Sequence, residues 1–382
     1  MSDARQVSPV PDGRFRGPDT PQGTRLRRRY LDWMRGLAVL IMIEAHVIDS
    51  WTGGYSRATQ AFRRSLVLGG FGAPLFLFLA GVAVALSAGS KARRSGDAGA
   101  ASRAVQWRGV EIFGLAFLFR LQALILGWAP VRTLLRVDIL NIMGPSIAAA
   151  AALWGAVRTL PQRVLAFAVA TTALSFLTPL IRRLPWLAIL PDPIEAYIRP
   201  VRGISSFVLF PWAAFVFAGA LVGVLIDETR TSEAERRLNI ALGIAGGATA
   251  AIAYWCSFRP NPYLRSDFWT SSPSFFFMRA GFMTAAIGFA YAWQLRPGGA
   301  DKWSPMVQLG RTSLFIYWIH VEMVYGLISL RLHQSLTLTQ AWIAWGLFSG
   351  FMLLCSIAKD RFVGWWAVRR QRGTRATPAT AG

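Results

Sequence analysis

Runs of about 20 predominantly apolar residues recur along the whole chain, and this repetition constrains the fold more than any other feature. A helix of about that length crosses the hydrocarbon core of a bilayer. Charged residues make up only 16% of the chain, against about 25% in soluble domains. The sequence therefore predicts an all-α, polytopic membrane helix bundle of about ten transmembrane helices. The predicted spans are 31–48, 67–88, 108–128, 138–157, 163–181, 205–226, 238–257, 275–293, 307–329 and 341–358.

The apolar runs occupy one continuous domain between two polar tails. Residues 1–24 are rich in Pro, Gly and Asp and are predicted to be a disordered cytoplasmic tail. The transmembrane domain is predicted to cover 25–360. Residues 361–382 return to basic sequence and are predicted to be a second cytoplasmic tail.

The formal net charge of +22 is explained by membrane topology. Basic residues concentrate in the two tails and in alternate loops, as expected for cytoplasmic segments, so we expect no nucleic-acid partner. The basic block before the first apolar run lacks a clear cleavage site, and Glu44 and His46 interrupt that run. We expect a retained first helix, both termini in the cytoplasm and, given the compact loops, a bacterial inner membrane.

Several predicted helices carry ionisable or polar side chains at a similar depth in the outer half of the membrane. Such groups are expensive in a bilayer and mark functional sites by default. We call this set the polar layer; its members are Glu44, His46, Arg120, Gln122, Asp138, Asn141, Arg279, Tyr317, His320 and Glu322. It predicts a polar cavity that opens toward the outer side. The alternative is that these groups pair with one another and hold the helices together.

The first helix carries a second polar group nearer its start. Asp32, Arg35 and His46 share one helical face at about 100° per residue. Arg35 and His46 are separated by about 16 Å along the axis, so they cannot touch. Arg35 could hold an anionic group at the cytoplasmic end, and Asp32 could form an i,i+3 ion pair with it.

Four segments resemble one group of membrane enzymes. The segment LDWMRGLAVLIMIEAH (31–46) is similar to the opening signature of the transmembrane acyltransferases. That group includes the heparan-α-glucosaminide N-acetyltransferase and acyltransferase-3 families. The segments APLFLFLAGVAVALS (73–87), LRVDILNIMG (135–144) and LGRTSLFIYWIHVEMVYG (309–326) resemble bacterial relatives of the heparan-α-glucosaminide branch. The similarity covers about residues 27–360.

The resemblance implies transfer of an acetyl or other acyl group from acyl-CoA to a sugar amine or hydroxyl. The histidine taken as catalytic in the acyltransferase-3 branch corresponds to His46. The animal lysosomal enzymes carry Asn at this position and an active His shortly afterward, whereas this chain has no histidine in 47–70. The resemblance therefore implies His46 as the catalytic histidine and a sugar acceptor by analogy.

The polar layer contains the groups that acyl transfer needs. His46 could serve as general base or as nucleophile, with Asp138 or Glu322 setting its tautomer. His320 is a second catalytic candidate, although a structural role is equally open. Arg120, Arg279 or Asn141 could stabilise an oxyanion, and Glu44, Gln122 and Tyr317 are further substrate-binding candidates.

The donor and its binding groups are predicted on the cytoplasmic side. Acetyl-CoA is the expected co-substrate, with Asp32, Arg35 and Arg311 as its candidate binding residues. No metal-ligand spacing occurs, so no metal is expected. The expected partners are the lipid bilayer, acyl-CoA and a glycan or amino-sugar acceptor, and a homo-oligomer remains open. The competing class is a multi-pass transporter with a polar midmembrane binding site, which inverted repeats would support.

Overall fold

The computed structural model describes residues 28–127, 130–263, 266–296 and 302–375. The predicted disordered tail at 1–24 lies outside these residues. Fourteen α-helices and three short 3₁₀ helices form in the described ranges. The α-helices are α1 Arg29–Trp51, α2 Gly54–Arg57, α3 Gln60–Gly69, α4 Gly72–Ser95, α5 Ala98–Gly127, α6 Ile139–Ala156, α7 Leu160–Ile181, α8 Asp192–Ile198, α9 Leu209–Glu228, α10 Ser232–Cys256, α11 Pro273–Gln294, α12 Pro305–Arg311, α13 Ser313–Tyr325 and α14 Leu338–Arg375. The 3₁₀ helices are Val131–Leu135, Pro185–Ile189 and Leu327–Leu332.

The predicted all-α membrane bundle is confirmed, and each predicted span corresponds to a helix or a helix pair. Within the residues that the structure describes, seven segments are long and apolar enough to cross a membrane: 60–95, 139–156, 160–181, 209–228, 232–256, 273–294 and 338–367. The other three predicted spans correspond to α1, α5 and the α12–α13 pair. Helices α1, α5 and α13 carry most of the polar layer, and α12 and α13 are separate short helices.

Helix α1 lies inside the bundle and packs against α3, α4, α11, α12, α13 and α14. Its apolar side chains Met34, Val39, Ile43 and Val47 are almost completely buried. A helix that is covered on several sides can bury polar side chains only where a neighbouring helix or a cavity receives them. The position of α1 therefore decides where its ionisable residues point.

Two glycines let α1 and α12 cross at close range. A methyl group on Gly310 would lie 1.8 Å from the Asp32 carbonyl oxygen, and one on Gly36 would lie 2.0 Å from the Met306 carbonyl oxygen. No side chain fits at either position without moving a backbone. This crossing holds the start of α13, which follows directly, beside α1.

Helix α6 begins with a capping box formed by Asp138 and Asn141. The Asp138 side chain accepts a hydrogen bond from the backbone N–H of Ile139, and the Asn141 side chain accepts one from the backbone N–H of Asp138. The cap satisfies backbone donors that a helix start leaves free. It fixes Asp138 at the end of α6 that faces α5.

Part of the predicted C-terminal tail is helical. Helix α14 continues through 361–375, where Phe362, Trp365 and Trp366 are exposed. The run has no Pro before Arg375, and the helix continues through Gly364 and Gly373. Residues 376–382 lie outside the described part of the chain.

Candidate active site

A cavity of about 1250 Å³ lies between α1, α4, α5, α6 and α13; we call it the central cavity. Its lining on α4 runs from Gly72 to Lys91, about 28 Å at 1.5 Å per residue. That length approaches the thickness of the hydrocarbon core, about 30 Å. The cavity thus extends from the basic end of the bundle, where α1 begins, to the opposite end, where α1 ends.

The central cavity contains a pair of histidines from helices that are far apart in the sequence. His46 on α1 is half-buried and lines the cavity. His320 on α13 is completely buried and lies behind it. The ring planes are nearly parallel, at 9°, with centroids 5.0 Å apart, and His46 Nδ1 lies 2.8 Å from His320 Nε2.

The hydrogen bonds of this pair fix the tautomer of each neutral ring. His320 Nδ1 lies 2.8 Å from the Ile316 carbonyl oxygen, which can only accept, so Nδ1 carries the proton. The lone pair on His320 Nε2 then accepts from His46 Nδ1–H. This leaves His46 Nε2 with a free lone pair. The sequence predicts Asp138 or Glu322 as the residue that sets the tautomer of His46. In the structure the hydrogen-bond partner of His46 Nδ1 is His320.

Tyr325 and Asp49 lie beside His46 at the opposite end of the cavity. The Tyr325 ring meets the His46 ring edge-on, with centroids 5.5 Å apart. Its hydroxyl donates to Asp49 Oδ2 at 3.2 Å, and Arg57 Nη2 donates to Asp49 Oδ1 at 3.1 Å. These contacts hold the two side chains at the mouth of the cavity.

Arg120 and Asp138 form a largely buried ion pair in the cavity wall. Arg120 Nη2 lies 2.6 Å from Asp138 Oδ2. Tyr317 and Glu322 on α13 also line the cavity. Arg120 itself lines the cavity. A cation in a cavity wall can stabilise negative charge that develops there.

The basic end of the cavity is lined by Arg35, Lys91 and Arg108. Arg35 pairs with Asp32 at 3.2 Å, as the spacing predicts, and Arg108 pairs with Glu111 at 2.7 Å. Within the described part of the chain, the Lys91 ammonium has neither an ion pair nor a hydrogen bond. This end therefore offers positive charge to an anionic ligand.

The structure separates the predicted site residues into two groups. Those that line the central cavity, or lie directly behind its lining, are Arg35, His46, Arg120, Asp138, Tyr317, His320 and Glu322. Those outside the lining are Asp32, Glu44, Gln122, Asn141, Arg279 and Arg311. The roles of the first group remain predictions.

The residues outside the lining have other surroundings. Glu44 is buried beside Gly69, and Arg279 lies over the Phe275 ring at 3.9 Å. Gln122 accepts a hydrogen bond from the Trp318 indole. The remaining members have these positions: Asn141 bonds Tyr197 and caps α6, Asp32 is buried behind Arg35, and Arg311 is exposed at the end of α12.

Sequence reasoning missed several cavity residues, among them Asp49, Lys91 and Tyr325, and the first two had a recognisable signal. Asp49 follows His46 by three residues and so lies near its helical face. Lys91 ends a face of small residues on α4 that repeats with helical spacing, through Ala73, Ala80 and Ser87. Tyr325 carried no such signal, because its contact with His46 depends on how α13 packs.

A sequence model described as heparan-alpha-glucosaminide N-acetyltransferase, catalytic, matches residues 27–246, which is more than half of the chain. The matched part includes His46, Arg120 and Asp138, while α11 to α14 lie beyond it. No curated protein matches the chain.

Proposed function

The chain belongs to the heparan-alpha-glucosaminide N-acetyltransferase family, and we propose that it moves an acetyl group from acetyl-CoA to an amine or hydroxyl of a sugar. It is an integral membrane protein of an acetyltransferase family. The acyl donor, the acceptor class and the residues below are the parts that we propose. The sugar acceptor is an envelope glycan or a related amino sugar.

The observation that carries the proposal is the central cavity, with a histidine whose free lone pair faces it. At about 1250 Å³ the cavity exceeds the 300–1,000 Å³ of ordinary small-molecule pockets, so it has room for two substrates. Arg35, Lys91 and Arg108 supply cations for the phosphates of the donor at the basic end. The acceptor enters from the opposite end and meets the thioester at His46.

His46 acts as the general base in this reaction. Its Nε2 takes a proton from the acceptor nitrogen or oxygen as that atom attacks the thioester carbon. The new C–N or C–O bond forms, the C–S bond breaks, and the proton passes from His46 to the leaving thiolate. Arg120, which lines the cavity beside Asp138, stabilises the oxyanion between these steps.

His320 is a positioning residue for His46. Its Nε2 accepts the Nδ1–H of His46, which keeps the lone pair of His46 on Nε2. The His320 ring is neutral and buried, and its Nδ1–H donates to the Ile316 carbonyl. His320 therefore holds the orientation of the His46 ring and does not compete for the acceptor proton.

The proposed topology puts the basic end in the cytoplasm, where acetyl-CoA is made. Arg29, Lys91, Arg94 and Arg108 belong to this end, in agreement with the positive-inside rule. Both termini are then cytoplasmic. We propose a bacterial inner membrane as the location, with the acceptor on its outer side.

The test is release of the CoA thiol by the purified protein in detergent, given acetyl-CoA and a panel of amino sugars. We expect acceptor-stimulated release that falls at least about 100-fold in His46→Ala. His333→Ala is the matched control, because His333 lies outside the cavity lining and bonds the Val324 carbonyl at 3.0 Å.

Two results would contradict the proposal. Full activity of folded His46→Ala protein would remove this residue from the mechanism. If the folded wild type neither binds nor turns over acetyl-CoA, the acyltransferase function is rejected and the transporter is favoured.

A further inference from the structure

Arg279 on α11 is a cation of the polar layer that the proposed reaction does not use. Its guanidinium lies over the Phe275 ring at 3.9 Å and over the Phe71 ring at 5.8 Å. Among the residues that the structure describes, Arg279 has neither an ion pair nor a hydrogen bond. Its Nε atom is enclosed by the protein, whereas its two Nη groups remain accessible.

The junction between α3 and α4 touches both Arg279 and a buried carboxyl group. A methyl group on Gly70 would lie 3.1 Å from Arg279 Nη2, and one on Gly69 would lie 2.9 Å from Glu44 Oε2. Both Glu44 oxygens are enclosed and form no hydrogen bond with a described residue. The two side chains flank one junction without forming an ion pair, so Glu44 does not supply the anion that Arg279 lacks.

Arg279 lies near the end of the bundle that is opposite to the basic end. The last turns of α11 are at the basic end, because the Tyr291 ring contacts the Tyr30 ring at the start of α1, with centroids 5.4 Å apart. Helix α11 therefore begins at the opposite end, with Pro273, and Arg279 follows by six residues, about 9 Å along the axis. Phe275 is one turn closer to that end, so the guanidinium above its ring points toward it.

The surface around Arg279 is apolar. Phe282, whose ring contacts Phe71, is 53% exposed, and Leu66 and Leu68 at the end of α3 are 43% and 46% exposed. Exposed apolar side chains of a membrane-spanning bundle contact lipid. The accessible Nη groups of Arg279 thus lie at the boundary between acyl chains and headgroups, where phosphate is the abundant anion.

A cation that is partly removed from water gains most from a charge-assisted hydrogen bond to an anion. The planar guanidinium matches phosphate with two parallel hydrogen bonds. The Phe275 ring attracts the cation but does not neutralise its charge.

We propose that Arg279 binds the phosphate group of a membrane lipid, in the leaflet at the end of the bundle opposite to the basic end. The apolar surface beside it receives the acyl chains of this lipid. The inference goes beyond the proposed function and does not depend on it.

The bound lipid supports one wall of the central cavity. Gly69 and Gly70 line that cavity, and Gly70 contacts Arg279 on its other side. Neither glycine has a side chain, so only backbone separates the lipid site from the cavity. A phosphate that holds Arg279 in place therefore stabilises the α3–α4 junction.

The main test measures binding of phosphatidylglycerol to the purified, delipidated protein in detergent by native mass spectrometry, without acetyl-CoA or an acceptor. We expect Arg279→Gln to weaken the binding between about 10- and 100-fold, the loss of hydrogen bonds to a charged group. Arg279→Lys keeps the charge but loses the paired donors, so its affinity should lie between those of wild type and Arg279→Gln.

Arg259→Gln is the matched control. Arg259 also lies over an aromatic ring, that of Trp255 at 4.1 Å, but it is exposed just beyond the end of α10. Its replacement removes the same charge, and we expect it to change the binding by less than about threefold.

Two further ligands identify the source of the phosphate. Diacylglycerol with the same acyl chains lacks phosphate, so it should bind wild type at least about tenfold more weakly and show no dependence on Arg279. Inorganic phosphate lacks the acyl chains and should not displace phosphatidylglycerol. Displacement by inorganic phosphate would identify a site for a free anion and overturn the assignment to a lipid.

A purely structural role of Arg279 predicts a different set of results. Phosphatidylglycerol would bind wild type and Arg279→Gln equally, and Glu44→Gln would lower the midpoint of thermal unfolding as much as Arg279→Gln, as expected for an ion pair between the two. These results would overturn the inference. The lipid site predicts instead that phosphatidylglycerol raises the midpoint of wild type and of Glu44→Gln, but not that of Arg279→Gln.

The inference stays testable if Arg279→Gln does not fold. The comparison of phosphatidylglycerol with diacylglycerol on wild type, and of wild type with Arg279→Lys, then decides it. Equal binding of both lipids to wild type, or equal binding of phosphatidylglycerol to wild type and Arg279→Lys, rejects the site. Because no acetyl-CoA is present, these results are independent of whether the protein transfers acetyl groups.

Discussion

At the scale of single residues, burial distinguishes the two histidines. His46 reaches the cavity, whereas His320 is completely enclosed and can act only through its neighbour. The contacts from the Ile316 carbonyl through His320 to His46 leave the Nε2 lone pair of His46 at the central cavity. If either helix were rotated about its axis, these two side chains would not form this series of hydrogen bonds.

Removing the positioning histidine should impair chemistry more than binding. We expect His320→Ala to lower kcat between about 10- and 100-fold, because a base misplaced by about 1 Å loses up to about that factor. The KM for acetyl-CoA should stay unchanged, since its proposed site lies at the basic end. Steady-state kinetics on purified protein measure both quantities.

A conservative replacement distinguishes positioning from packing. The side-chain oxygen of His320→Gln can still accept the Nδ1–H of His46, so this variant should recover part of the activity lost in His320→Ala. Equal activity of the two variants would show that the His46–His320 hydrogen bond does not matter. His333→Ala again serves as the control.

At the scale of elements, the helices that form the site are joined at backbone contact distance. The α1–α12 crossing has a glycine on each helix, each facing a carbonyl of the other. Close approach of this kind is common where membrane helices pack, because dispersion contacts replace the hydrophobic driving force that water supplies. It determines which residues of α13 can meet α1.

A methyl group at this crossing should separate the two helices. We expect Gly310→Ala to destabilise the protein by about 1–3 kcal/mol, as overpacking usually does, and to lower activity because His320 moves away from His46. The measurement is the midpoint of thermal unfolding in detergent together with CoA release.

The α14 glycine Gly350 provides a matched control. A methyl group there meets nothing within 4 Å, so Gly350→Ala should be neutral or slightly stabilising in a helix interior. Equal stability of Gly310→Ala and Gly350→Ala would mean that the α1–α12 crossing adjusts without cost. The positioning role assigned to this crossing would then be wrong.

At the scale of the whole molecule, three helices supply most of the polar lining of the cavity. These are α1, α5 and α13, whereas α7, α10 and α14 expose large hydrophobic side chains on the outside of the bundle. This arrangement puts polar groups around an internal cavity and apolar groups where lipid can cover them.

The exposed cysteine Cys256 can report the orientation of the protein in the membrane. Cys256 is exposed at the end of α10, on the end of the bundle opposite to the basic end, whereas Cys355 is half-buried within α14. In intact cells, a membrane-impermeant maleimide is expected to label Cys256 from outside, and Cys256→Ser should abolish the labelling. Labelling only after permeabilisation would invert the proposed topology.

The sequence alone determined the class of fold and the set of polar residues from which a site could be built. Apolar runs of about 20 residues dictate membrane helices, because every backbone polar group must be bonded within the lipid. Periodicity also predicted the Asp32–Arg35 pair, since residues three apart on one helix are neighbours wherever that helix lies.

Only the tertiary structure decided which polar residues share a cavity. Glu44 and His46 are two residues apart on α1, yet one is buried beside Gly69 and the other faces the cavity beside His320. The sequence fixes the angle between two side chains on a helix, but it does not say which neighbour lies on either side. Which neighbour each side chain contacts depends on helix packing, and this packing brings together two histidines 274 residues apart in the chain.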